Sequence, residues 1–260
     1  MTSIGSVQSA YLTHRGQIRD HNEDFVTVRE PKDDKDISKN GWVYIVADGV
    51  GGADAGEVAS SFAVEAAVKH YMSEADSEFP ERLKHSVEMA HNDLCDLIDE
   101  RKDDRRMGTT MVAAVIAEGQ AIMANVGDSR GYHIRDGHIR QITKDHSLVA
   151  KLLEEGIVTN EEAEALNIGN IILQSIGSEQ QPVVDIFTFS LQENDAILLC
   201  SDGLTNHVED PELAEIISTL SPEDASQKLV DLANERGGYD NITVLIAKLS
   251  TPLHSQNGAV

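Results

Sequence analysis

The sequence predicts an α+β domain in which antiparallel sheets are covered by helices. Two patterns carry that expectation. Between residues 109 and 142, strand-like runs follow one another across short turns, which suits antiparallel pairing and leaves no room for the crossover helices of a doubly wound parallel sheet. Ala55, Val58, Ala59, Phe62, Ala63 and Ala66 recur at helical spacing, as do Leu83, Val87, Ala90, Leu94 and Leu97, so two amphipathic helices are available to cover a core. A chain of 260 residues can bury a full core, and no linker-like stretch divides it, so residues 1–250 are expected to form one domain.

Taken in order, residues 9–13 and 25–30 read as strands flanking the segment 15–24, RGQIRDHNED. The charged run 32–36 reads as a loop. Residues 42–47 form an apolar strand that stops at Asp48, where Gly49, Gly51 and Gly52 make a turn and clear side chains from around the carboxylate. Beyond the two helices come strands at 109–116 and 120–126 joined as a hairpin, then 131–135 and 138–142 joined across Asp136 and Gly137. Residues 143–182 leave the sheets: a short helical piece opens at 144–147, and Thr159 with Glu162 makes a capping box. Strands resume at 187–191 and 196–200. Ser221 caps a helix with Pro222 in its first turn, which stops at Gly237 and Gly238 before a last strand at 242–249. Residues 251–260 read as a frayed tail.

Composition narrows the class. Hydrophobic residues make up 40% and charged residues 25%, and no apolar run approaches the roughly 18 residues of a membrane span. The amino terminus lacks the basic-then-apolar order of a signal peptide, so a cytoplasmic location is expected. Asp and Glu outnumber Lys and Arg by 45 to 21, and the net charge of −24 opposes nucleic acid or an anionic membrane as partner. Cys95 and Cys200 have no metal-ligand spacing and read as buried small hydrophobes.

The segment 42–57, WVYIVADGVGGADAGE, resembles a dinucleotide-binding loop only in part, since Asp54 stands where the third glycine belongs. Taken alone it fits a plain strand and turn as well as a site. The comparison that matters is among carboxylates: Asp48, Asp128 and Asp202 each follow an apolar strand, and Asp240 precedes one. Gathered at one sheet end, four carboxylates would repel unless cations or protons neutralised them, and hard oxygen ligands suit Mg²⁺ or Mn²⁺ rather than zinc. Arg19, four residues before the Glu23 and Asp24 pair, taken alone reads first as part of a surface salt-bridge cluster.

Six ordered motifs, RDHNED at 19–24, VADGVGG at 46–52, GTT at 108–110, GDSR at 127–130, CSDGL at 200–204 and GYDNIT at 238–243, resemble those of the metal-dependent serine/threonine protein phosphatases, type 2C, in their compact prokaryotic form. The resemblance runs from about residue 8 to residue 249. It implies a four-layer αββα sandwich and hydrolysis of phosphoserine and phosphothreonine by metal-activated water, without a covalent intermediate. It also implies two tightly bound Mn²⁺ or Mg²⁺ ions and a weaker third.

In that resemblance Asp48 bridges two metals, with the Gly49 carbonyl as a further ligand; Asp202 and Asp240 complete one shell. Glu23 holds the other metal largely through water, supported by Asp24, while Arg19 grips the phosphoryl oxygens and Asp128 helps Asp202 hold the third ion. Thr110, Ser129 and Asn241 are expected to scaffold the site. Eukaryotic members often carry a histidine, a proposed general acid, where this chain has Val50. His21 and His146 are near in sequence, though a lone histidine is more often structural. Residues 143–182 correspond to the family's flap, a place for substrate selection. Its acids, Asp145, Glu154, Glu155, Glu161, Glu162 and Glu164, either disfavour acidic phosphopeptides or are plain surface. Expected partners are phosphorylated proteins, substrates of a serine/threonine kinase, met by a monomer. A phosphatase-like binding protein should have lost a ligand, and none is missing; a small-metabolite phosphoester stays open as substrate.

Overall fold

The computed structural model describes residues 6–51, 55–101, 107–159, 161–163 and 171–250. Among these residues eleven strands form two antiparallel sheets. The first runs β1 (Val7–His14), β11 (Ile242–Leu249), β10 (Ala196–Cys200), β7 (Arg130–Arg135) and β8 (His138–Gln141) from edge to edge. The second runs β2 (Asp24–Arg29), β3 (Trp42–Gly51), β5 (Met111–Ala117), β6 (Gln120–Val126) and β9 (Asp185–Ser190), with β4 (Met107–Thr109) paired to the far end of β3.

The alternation along β3 shows how the layers stack. Trp42, Tyr44 and Val46 point between the sheets, meeting Ile197, Leu199 and Leu245. Val43, Ile45 and Ala47 point the other way, onto α2 (Ala55–Ser73) and α3 (Phe79–Arg101) through Ala59, Ala63, Leu83 and Leu94. A strand apolar on both faces is one buried on both faces. The first sheet is covered likewise: Leu198, Val244 and Ile246 pack against α6 (Asp210–Thr219) and α7 (Pro222–Glu235) through Leu213, Ile217 and Leu229. The result is the expected four-layer αββα sandwich.

Three local expectations need correction. The run 32–36 is not all loop: Asp33 accepts a hydrogen bond from the Asp36 amide and caps α1 (Asp34–Asn40), with acids at the favourable end of the helix dipole. The apolar run 109–116 is two strands, broken at Thr110. Asp48 is not a strand end, because β3 continues to Gly51 by exchanging β5 for β4 as its partner. Elsewhere Ser147 caps α4 (Leu148–Glu154), Ser221 caps α7, and the Thr159 and Glu162 capping box forms as read. Gly52, Asp54, Glu164 and the tail 251–260 lie outside the described residues.

Candidate metal centre

The exchange of partners on β3 builds the floor of the site. At that point Asp48 lies opposite Asp24 across the β2 to β3 ladder. Its carbonyl accepts from the Thr110 amide at 2.9 Å and from Thr109 Oγ1 at 2.8 Å. Its own amide donates to Thr110 Oγ1, which pairs with Ser129 Oγ at 2.7 Å. Thr110 and Ser129 are therefore scaffolding, and Thr109 joins them. The next residue must be glycine: a Cβ at Gly49 would collide with the carbonyl oxygens of Gly56 and Glu23. That close approach brings the first turn of α2 to β3, where the Gly56 amide donates to the Glu23 carboxylate at the positive end of the helix.

The opposite wall comes from the first sheet. Asp202 opens the short helix α5 (Asp202–Thr205), and a Cβ at Gly203 would strike the Asn241 carbonyl, so this turn is pressed against the loop carrying Asp240. One side chain ties that loop to the segment 15–23: Asn241 Nδ2 donates to the carbonyls of Arg15 and His21, and its Oδ1 accepts from the Glu23 amide at 2.7 Å. Gln17 adds a backbone bond to Gly238. Arg19 is thereby delivered to Asp240, with Nη2 2.7 Å from Oδ2. Its partner is not the Glu23 and Asp24 pair that its spacing offered.

These acids crowd one another. Burial, with repulsion from Asp24, Asp202, Asp240 and Asp128, holds the Asp48 carboxyl well above the usual carboxylate range. Burial first and then Asp240 raise Asp202. Asp128 is buried and pushed up to about 7, by burial and then by Asp202 and Asp145. Glu23 is raised by burial against the opposing pull of Arg19.

Asp24 shows a connection that spacing did not. It is fully enclosed, pushed up to about 7 chiefly by burial, and its Oδ2 accepts from Ser201 Oγ and Thr243 Oγ1, both at 2.7 Å. Asp24 belongs to one sheet, while Thr243 lies in β11 of the other and Ser201 just past the end of β10, so Asp24 clasps the sandwich beneath the acids. Ser201 and Thr243 stood inside quoted motifs, but nothing local marked them as its donors. Among the histidines, His21 is exposed. His146 has both ring nitrogens engaged, Nδ1 accepting from the Gly127 amide and Nε2 facing Asp185, so it supports the Asp128 loop from behind. Val50 is 44% exposed and offers no proton.

Among the described residues no three His, Cys, Asp or Glu side chains already stand as a ligand set; Asp202 meets Asp48, and Asp240 meets Arg19. The donor chemistry nevertheless fits a hard divalent cation. The side-chain donors are all carboxyls, the Asp48 carboxyl is held up by burial and by repulsion from its acidic neighbours, and Oδ1 of Asp24 and of Asp202 are buried without a partner.

A family model described as Protein phosphatase 2C matches residues 26–233. The chain belongs to the protein phosphatase 2C family. It is 41% identical over 249 residues to the serine/threonine phosphatase stp of Listeria monocytogenes, covering 93% of this chain and 96% of that one. The serine/threonine phosphatase of S. agalactiae superposes with a TM-score of 0.84 at 34% identity, covering 94% of this chain and all of its own. The catalytic domain of PstP, in complex with two manganese ions, superposes with a TM-score of 0.79 at 32% identity over 94% and 99%. The sandwich is thus the phosphatase 2C architecture, and the family's dependence on Mn²⁺ or Mg²⁺ agrees with a cluster of oxygen donors.

Proposed function

We propose that this phosphatase 2C protein removes phosphate from phosphoserine and phosphothreonine in proteins, with Asp48, Asp202 and Asp240 as the centre of a two-metal site. The observation that carries this reading is the convergence of the acids: Asp48 on β3 meets Asp202 at the start of α5 and Asp240 just before β11, and burial with repulsion from its neighbours holds the Asp48 carboxyl well above the usual carboxylate range. Glu23 and the Gly49 carbonyl complete the donor set, and Asp128, beside Asp202, would hold a weaker third ion.

When bound, divalent cations acidify water for attack and offset charge on the phosphoryl group. The chain's own residues supply orientation. Arg19 is half exposed, and an exposed ion pair is worth only about 0.2–1 kcal/mol, so its guanidinium can leave Asp240 for phosphoryl oxygens at little cost. Asn241 keeps Arg19, Glu23 and Asp240 in one frame, and Thr110 with Ser129 fixes the backbone of Asp48. No nucleophilic side chain enters this scheme: Cys200 is sealed in the core with its thiol pushed up to about 12.

On this reading residues 1–250 act as one catalytic domain with a flap at about 143–182, working as a monomer. The substrates are products of a serine/threonine kinase, with the negative charge disfavouring nucleic acid or membrane. No helix among the described residues is long and apolar enough to cross a membrane, and we place the protein in the cytoplasm. Phosphate release from phosphoserine and phosphothreonine peptides with Mn²⁺, against a phosphotyrosine peptide, tests the reading. Equal rates on phosphotyrosine, or none on the other two, would refute it.

A further inference from the structure

Two large apolar side chains stand in water beside the Arg19 and Asp240 pair. Ile18, immediately before Arg19, is 65% exposed, and Tyr239, immediately before Asp240, is 66% exposed. Tyr239 is nonetheless held. Its ring leans on His207 with centroids 5.2 Å apart, and its amide faces His207 Nε2. The ring also lies over Gly237, where a Cβ would come within 2.7 Å of Tyr239 Cζ. The two loops are joined by the Gln17 amide to Gly238 carbonyl bond at 2.8 Å, and Asn241 ties them again through Arg15 and His21. An exposed aromatic fixed in this way offers contact area at little entropic cost.

We infer that Ile18 and Tyr239 form an apolar rim that receives an apolar side chain next to the phosphorylated residue of the substrate. The inference rests on the phosphatase reading above. Its occupant follows from continuity with the phosphate clamp: consecutive Cα atoms lie about 3.8 Å apart in any trans peptide. Ile18 and Tyr239 are the chain neighbours of Arg19 and Asp240, so they border the pair assigned to the phosphoserine on the side a flanking residue would occupy. The acid cluster disfavours an acidic neighbour, and the two exposed rim side chains, Ile18 and Tyr239, offer apolar surface rather than a carboxylate at the flank.

Phosphoserine peptides carrying Leu or Gly at each flanking position in turn, assayed with Mn²⁺, test the rim. Wild type is expected to favour Leu at one flank by about tenfold in kcat/KM, the scale of one apolar contact. Tyr239→Ala and Ile18→Ala should each shrink that ratio toward unity, and Tyr239→Phe should retain it. The ratio is internal to each protein, so partial loss of folded enzyme does not alter it. Wild type that cleaves both peptides without preference overturns the rim alone, as do variants that lower Leu and Gly peptides by the same factor. Absence of phosphate release from every peptide overturns the phosphatase reading, and the rim with it.

Discussion

Arg19 Nη2 lies 2.7 Å from Asp240 Oδ2, so the cation assigned to the phosphoryl group rests on a carboxylate assigned to the metal. The two roles are linked through an exposed, easily exchanged ion pair. Arg19→Ala should lower kcat/KM on a phosphoserine peptide about a hundredfold, the usual scale for losing a charged transition-state contact. Mn²⁺ affinity should hold or rise slightly, because Asp240 loses a competing cation. Calorimetry with steady-state rates measures both. Unchanged kinetics would return Arg19 to the role of a surface salt bridge.

Gly203 sets the spacing between Asp202 and Asp240. A Cβ there meets the Asn241 carbonyl, which is backbone and cannot swing aside. Gly203→Ala is expected to fold, as far-ultraviolet circular dichroism would show, yet to bind Mn²⁺ more weakly and lose most activity. Retention of both would mean that the two acids need not be held this closely.

The acid cluster predicts a distinctive dependence on pH. Asp24 and Asp128 are pushed up to about 7, chiefly by burial, so the folded protein binds their protons more tightly than the unfolded chain does. Their contribution to stability is therefore complete below the ordinary value of 3.8 and is lost as pH rises through about 7. In chelator, Tm should fall between pH 5 and pH 8, by about 5 °C if the change is 1–2 kcal/mol. Mn²⁺ should abolish the fall by supplying the missing positive charge. A flat or rising Tm in chelator would contradict the crowding described above.

Asp128 offers a test of the proposed third ion apart from the main pair. Asp128→Ala should leave two tight metals, since Asp48, Asp202, Asp240 and Glu23 remain. Activity should still fall, and fall less on an aryl phosphate than on a phosphoserine peptide, because Val50 offers no acid and the serine oxygen is the poorer leaving group. Equal losses on the two esters would contradict a role at the leaving group, and loss of a tight metal would place Asp128 in the main centre.

Much of this architecture was legible in the sequence because it depends on local signals. Short apolar runs bounded by turn residues marked most strands, and Ser147, Thr159 and Ser221 marked helix starts. The acids stood out because each follows or precedes an apolar run. What was hidden depends on pairing across the fold. The strand exchange at Asp48 happens because β4 ends and β5 begins on either side of Thr110, inside a run that read as one strand. The partner of Arg19 is 221 residues away, and the Asp24 clasp joins residues 177 and 219 apart. Helix α1 was masked by its charge, since its cap and not an apolar face marks its start.

The central claim is that the acid cluster works by holding divalent cations. Phosphate release from a phosphoserine peptide by chelator-stripped protein, titrated with Mn²⁺ and run beside Asp48→Asn, tests it most directly. Stripped wild type should release no phosphate and recover fully as Mn²⁺ is added, and Asp48→Asn should release almost none at the same concentrations. Full turnover by stripped wild type in excess chelator would contradict it.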